Sequence, residues 1–336
     1  MGSEVELAHP APERDGYRYP LFRRNDRPLP ADWSGWQYVW DIDNTYLVTE
    51  WRGLRDLLRI RFEAALDKRP VPGAVPLLRG LRRGRAADAE RPAIHFVSAS
   101  PHTMRDVLEQ RMLIDGVVHD GIAFRDWSRL RYLRDVFGYK VAALTLLRLE
   151  SPPGAREVLF GDDGEHDPWV YSLYARVCAG SLRGEELRAT LREQGVGRSA
   201  SRYVTALADE LPQSDPVDWV FIRRLGRPAP PPEEQPAAEG EQRPRRPTTR
   251  RLRRPPPCER DPRLLEVDDY AQAATVLFAA GRIGAEDLAA VVAEVRAAQT
   301  HVGQQGAAPC AALDMAASRL DPAAVAAARA QVEELS

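Results

Sequence analysis

The sequence predicts an α/β fold, a doubly wound parallel sheet followed by a C-terminal helical segment. Over the first 225 residues, short β-branched or aromatic runs alternate with helical patterns, as crossovers between parallel strands require. The 336 residues are 44 % apolar and 29 % charged, which suits a sizeable core and excludes collagen-like, wholly disordered and disulfide-scaffold chains. Composition then breaks between Gly226 and Pro257, where ten of the 28 prolines and eight arginines fall in 32 residues with almost nothing apolar. That stretch reads as a disordered linker of polyproline character. The resulting division is an N-terminal extension over 1–30, an α/β domain over 31–225, a linker over 226–262 and a helical region over 263–336.

The first confident strand is QYVWDI (37–42). Behind it, Leu54, Leu57, Leu58, Phe62, Ala65 and Leu66 share one face at spacings of three and four, predicting an amphipathic helix over 53–67. AIHFVS (93–98), EVLFG (157–161) and DWVFIRRL (218–225) are further strands, and GVVHDGIAF (116–124) is a weaker one. Helices are expected near 102–112, 128–149, 168–178, 183–193 and 199–209. Beyond the linker, the alanine-rich stretch Val267 to Ala298 is amphipathic, and Asp321 before Pro322 reads as an N-cap opening a last helix.

The net charge of −2 offers no whole-molecule attraction to nucleic acid or membrane. Cys178, Cys258 and Cys310 are widely spaced and without CxxC pairing, which suggests neither a disulfide framework nor a zinc site and fits a reducing cytoplasm. The N-terminal residues show no signal-peptide pattern, and no run approaches the roughly 18 apolar residues of a membrane span. The expectation is a soluble cytoplasmic protein, at most peripheral at a membrane. Among the 47 basic residues only Lys68 and Lys140 are lysines, so each lysine position raises a question.

Asp41-Ile42-Asp43-Asn44-Thr45 lies at the carboxyl end of the first strand, where open α/β sheets bind ligands. Two carboxylates so placed make either a compact cation site or an ordinary turn. A calcium loop is excluded, since its sixth position would be Tyr46 instead of Gly and its twelfth Arg52 instead of Glu. Ser98-Ala99-Ser100-Pro101 follows the second strand and opens a helix, as an N-cap or as an anion site. Gly161-Asp162-Asp163-Gly164-Glu165-His166-Asp167 follows a third apolar strand and brings more carboxylates to the same edge. Between the serine and acidic segments stands Lys140, a compact ammonium able to sit between phosphate and carboxylate where a guanidinium fork would not fit.

The ordered set DxDxT, Ser, Lys and GDxxxxD resembles the haloacid dehalogenase superfamily of phosphotransferases. The fuller strings DIDNTYLVTEW, HFVSASPHTM, GYKVAAL and GDDGEHDPWVYSLYA resemble the catalytic domain of actin-patch-protein-type phosphatidate phosphatases in their bacterial form, over roughly residues 30–225. VDDYAQAATVLFAAGRI (267–283) is similar to a helical portion that follows it. The resemblance implies a Rossmann-like phosphatase in which Asp41 is the nucleophile and Asp43 the general acid and base. It further implies Mg2+ held by Asp41, the backbone carbonyl of Asp43 and Asp162, with Ser98 and Lys140 on the phosphoryl oxygens. Asp163 or Asp167 would orient the metal's waters or the lysine, and Thr45 matches the motif, while Asn44 stands where the family often has an acid or a lysine. Ser100 rivals Ser98 for the phosphate contact.

Only 55 positions separate Asp43 from Ser98 and 42 separate Ser98 from Lys140, too few for a full cap domain, so an open cleft is expected. Such a cleft suits a large or membrane-bound phosphate ester, phosphatidate or a related lipid phosphate first. Nucleotide, nucleic-acid or protein phosphate would enter equally, and a non-catalytic module binding anionic surfaces stands as the reading from another class. Arg52, Arg55 and Arg59 form a helical stripe that either meets anionic headgroups or is a solvated face. Trp40, Trp51 and Trp169 flank the motifs, Trp40 by its strand position as core; His166 is expected behind the metal and Lys68 at a helix end. Residues 243–254 hold seven arginines and no acid, either a spacer or a tether to RNA or an anionic membrane, and the proline-rich half suits a spacer or an aromatic groove.

Overall fold

Strand pairing in the computed structural model, which describes residues 9–14, 16–48, 68–85, 90–127, 135–164, 166–225, 261, 263–302 and 308–335, produces an α/β/α sandwich. Near the N-terminus, β1 (His9–Pro10), a β2 (Glu13–Arg14) and β3 (Tyr17–Arg18) hairpin, and β4 (Leu21–Asn25) precede the central β5 (Trp36–Asp41). Then come α1 (Ala74–Arg83), β6 (Ala93–Pro101), α2 (Arg105–Ile114), β7 (Gly121–Arg125), α3 (Val136–Glu150) and β8 (Arg156–Asp162). Helices α4 (Asp167–Cys178), α5 (Gly184–Glu193) and α6 (Arg198–Glu210) lead to β9 (Val217–Arg223). Past the linker lie β10 (Leu264–Val267), α7 (Tyr270–Ala279), α8 (Ala285–Val302), α9 (Ala311–Ala316) and α10 (Pro322–Glu334).

The main sheet runs β1-β4-β7-β6-β5-β8-β9-β10. Its six strands from β7 to β10 are parallel, and β4 and β1 close one edge antiparallel. The strands are apolar on both faces because both are covered. Tyr38, Trp40, Phe96, Phe160 and Phe221 face α1, α2 and the C-terminal helices, and Trp40 stacks on Phe160 at 4.0 Å. Val39, Val97, Leu159, Val220 and Ile222 face α3 to α6. A fully buried leucine such as Leu77 of α1 or Leu187 of α5 contributes about 2 kcal/mol.

Several sequence expectations change in detail. The weaker run over 116–124 narrows to β7, after a left-handed turn at Gly116 (φ 61°). The N-terminal extension supplies the outer strands β1 and β4, and the backbone of β4 pairs with β7. The C-terminal region, read as helical, begins with β10, and its alanine-rich stretch is two helices separated by Gly281 in the left-handed region (φ 72°). Asp321 caps α10, accepting from the amides of Ala323 and Ala324, a contact worth about 1 kcal/mol. The predicted helix over 53–67, the start of the helix expected from 128 and almost all of the linker lie outside the described residues.

Candidate active site

Sheet register assembles the site. Asp41 ends β5 opposite Val97 of β6, and Trp40 stands opposite Phe160 of β8. Ser98 and Asp162, just beyond those partners, therefore come to the same carboxyl edge as Asp41. Strand order reverses at β5, with β6 and β7 on one side and β8 to β10 on the other; such a switch point opens a crevice.

Helix α3 delivers the lysine. Asp135 caps it, one carboxylate oxygen accepting from the Gly138 amide at 2.9 Å and the other from the Tyr19 hydroxyl at 2.7 Å. Lys140 Nζ then lies 2.8 Å from Asp41 Oδ1 and 2.5 Å from Asp167 Oδ1, with all three side chains at most 2 % exposed. Asp167 begins α4, followed by Pro168 in the first turn. Its Oδ2 accepts from the Asp162 amide at 3.3 Å, while Asp162 Oδ1 accepts from the Gly164 amide at 2.6 Å. This close approach depends on Gly161, where a Cβ would fall 2.5 Å from Asp167 Oδ2.

Asp41, Asp162 and Asp167 each present an oxygen, and the three oxygens lie within 4.8 Å of one another. Three ionised carboxylates against one ammonium leave two formal negative charges in a buried pocket, which is costly without a compensating cation. The donors are hard oxygens suited to a divalent ion. The triad can thus hold a metal ion, with Lys140 inserted between two of its members. Burial, reinforced by the Asp167 charge, pushes the neighbouring Tyr171 phenol well above its ordinary range, and its hydroxyl donates to the Phe160 carbonyl at 2.9 Å.

Asp43 sits partly exposed above this cluster, its Oδ2 accepting from the Ser100 hydroxyl at 3.0 Å. The Ser100 amide donates to Ser98 Oγ at 3.1 Å, and Ser98 is fully buried. The two serines thus form one hydrogen-bonded chain, in which Ser100 reaches the carboxylate. Asn44 adopts φ 56°, a left-handed conformation asparagine tolerates, and this turns the chain so that Thr45 is buried beneath the loop. Of the two acids kept as alternatives, Asp167 joins the carboxylate cluster; Asp163 is exposed and accepts from the Leu225 amide at 2.8 Å.

Other candidates fall to the side. Trp40 is core, Trp169 packs partly buried against the second core cluster, and His166 stands at the cap of α4 with its ring edge-on to Phe137 at 6.0 Å. Lys68 is half-buried and outside the cluster. Arg52, Arg55, Arg59, Trp51 and the linker arginines lie outside the described residues. Sequence reasoning missed Arg223, whose Nη1 donates to the Asn44 carbonyl at 2.9 Å, and Tyr270, whose hydroxyl donates to the Thr45 carbonyl at 2.7 Å. Both bond to backbone, so the motif residues carry no signal of them.

Residues 36–186 match the family described as phosphatidate phosphatase APP1, catalytic domain. The matched segment carries every acid, serine and lysine of the site, and the chain is a phosphatase. No curated protein and no solved structure matches the chain significantly.

Proposed function

We propose that this phosphatase is a Mg2+-dependent phosphate monoester hydrolase of haloacid dehalogenase type, working through an aspartyl-phosphate on Asp41, with phosphatidate or a related lipid phosphate as substrate. The observation that carries the reading is Lys140, held between Asp41 and Asp167 inside a buried carboxylate triad. A carboxylate attacks a phosphate dianion only where fixed cations offset their repulsion, and Lys140 is such a cation touching the attacking group.

Asp41 and Asp162, with the backbone carbonyl of Asp43, would hold Mg2+, and Asp167 would be shared between the ion and Lys140. When bound, the ion supplies positive charge at the phosphoryl oxygens. An Asp41 oxygen attacks phosphorus as the ester P–O bond breaks, and Asp43 gives its proton to the departing alkoxide, releasing an alcohol. Asp43, now a carboxylate, takes a proton from water; the water oxygen bonds to phosphorus, the P–O bond to Asp41 breaks and inorganic phosphate leaves. Ser100 keeps the Asp43 carboxylate aimed, and Ser98 and Lys140 face the phosphoryl group.

The lipid assignment rests on the description of the matched family, and it fits an anionic-membrane role for the linker arginines. The test is Mg2+-dependent release of phosphate from phosphatidate in mixed micelles, glycerol 3-phosphate, a nucleotide and a phosphopeptide. Phosphatidate is expected to be turned over with the highest kcat/KM, and Asp41→Asn to abolish turnover of all four. An inactive wild type, or an active Asp41→Asn, overturns the mechanism; preference for a soluble ester overturns the lipid assignment alone.

A further inference from the structure

The loop carrying Asp43 is anchored by residues outside the matched catalytic segment. Its Asn44 and Thr45 carbonyls accept from Arg223 at 2.9 Å and from Tyr270 at 2.7 Å. Tyr270 is 1 % exposed, its ring lies 5.4 Å from that of Trp40 in β5, and it is the first residue of α7. Asp269 caps that helix, its carboxylate accepting from the amides of Ala271 and Gln272, which fixes the direction in which Tyr270 leaves the backbone.

The segment is pinned to the sheet as well. Val267 of β10 pairs with Arg223 of β9, the Arg224 amide donates to the Val267 carbonyl at 2.8 Å, and Arg224 forms an ion pair with Asp268 at 2.7 Å. Arg223 thus reaches the loop from β9, and Tyr270 from the first turn of the helix that follows β10, two strands held in register.

We infer that Tyr270 is a positioning residue for proton transfer, setting the backbone of the 43–45 turn so that the Asp43 carboxyl faces the leaving oxygen. The inference rests on the proposed role of Asp43. Two consecutive carbonyls tied to buried or half-buried donors leave that turn little freedom, while Ser100 holds the carboxylate from the other side. Chemistry beyond the linker is thereby built into the motif at residues 41–45.

Leaving-group dependence tests this. An alkyl phosphate must receive a proton as its oxygen departs, whereas p-nitrophenyl phosphate releases a stable phenolate without one. The readout is kcat/KM, which reports steps through the first phosphoryl transfer only. Tyr270→Phe keeps the ring against Trp40 and removes the hydroxyl. It is expected to lower kcat/KM for phosphatidate or glycerol 3-phosphate about 30-fold or more, a partial loss of the roughly 10²–10⁴-fold that general-acid catalysis supplies, and that for p-nitrophenyl phosphate less than about threefold. Arg223→Met provides a second variant with the same expected split should Tyr270→Phe fold poorly. Equal losses on both substrates, or none, overturn the inference and leave the phosphatase reading standing. A wild type inactive on both overturns the reading and the inference with it.

Discussion

Lys140 Nζ stands 2.5 Å from Asp167 Oδ1, and both side chains are fully enclosed. The same ammonium touches Asp41 at 2.8 Å, so a point charge bridges the nucleophile candidate and the acid that opens α4. A planar guanidinium, wider than an ammonium and reaching one atom further, cannot take this position without displacing one carboxylate. Lys140→Arg is expected to lower kcat about 100-fold, roughly 2.7 kcal/mol of barrier, although arginine serves almost everywhere else in this chain. Circular dichroism should show a folded variant; near-normal turnover by it would remove Lys140 from the mechanism.

Asp162→Asn probes the cation site. With one of three clustered carboxylates neutralised, repulsion falls and the melting temperature measured in chelator should hold or rise by a few degrees. The further rise that millimolar Mg2+ gives the wild type is expected to vanish. An unchanged Mg2+ response in thermal melts would place the ion elsewhere.

Gly161→Ala tests the approach of β8 to α4 without touching a charge. The added methyl would lie 2.5 Å from Asp167 Oδ2 and 2.6 Å from Asp167 Cβ, so the side chain that bonds Lys140 must shift. Overpacking of this kind costs about 1–3 kcal/mol, and turnover should fall at least about tenfold. Wild-type kcat together with wild-type stability would show that the contact relaxes harmlessly.

Acid sensitivity is expected from His95. Burial holds its imidazole down at about 4, outweighing the nearby Asp120 charge. The unfolded chain takes up this proton near pH 6.5 and the folded one does not, so stability is complete above that pH and declines as pH falls toward 4. The full loss is about 3 kcal/mol. Urea unfolding at pH 7 and pH 4.5 should show His95→Phe losing less of its stability on acidification than the wild type; equal losses would assign the acid limb to other groups.

Much of the site is legible before folding because each motif follows a strand. An apolar run that ends in Asp41, Ser98 or Asp162 announces a carboxyl edge, and parallel pairing then brings three such edges side by side. The choice between Asp163 and Asp167 is not legible, since both follow the same strand. It turns on whether the chain has entered α4, where the side chain points back over Gly161, or is still in the turn facing Leu225.

The order of strand, motif and helix, together with the lysine scarcity that makes Lys140 conspicuous, was determined by the amino-acid sequence, because strand periodicity and motif spacing are local properties. The tertiary structure alone decided that residues beyond the linker complete the sheet and the site. Tyr270 reaches Thr45 across 225 positions, and its acceptor is a main-chain carbonyl that any residue would offer. Such a contact leaves no trace in composition or spacing and exists only once β10 has docked beside β9.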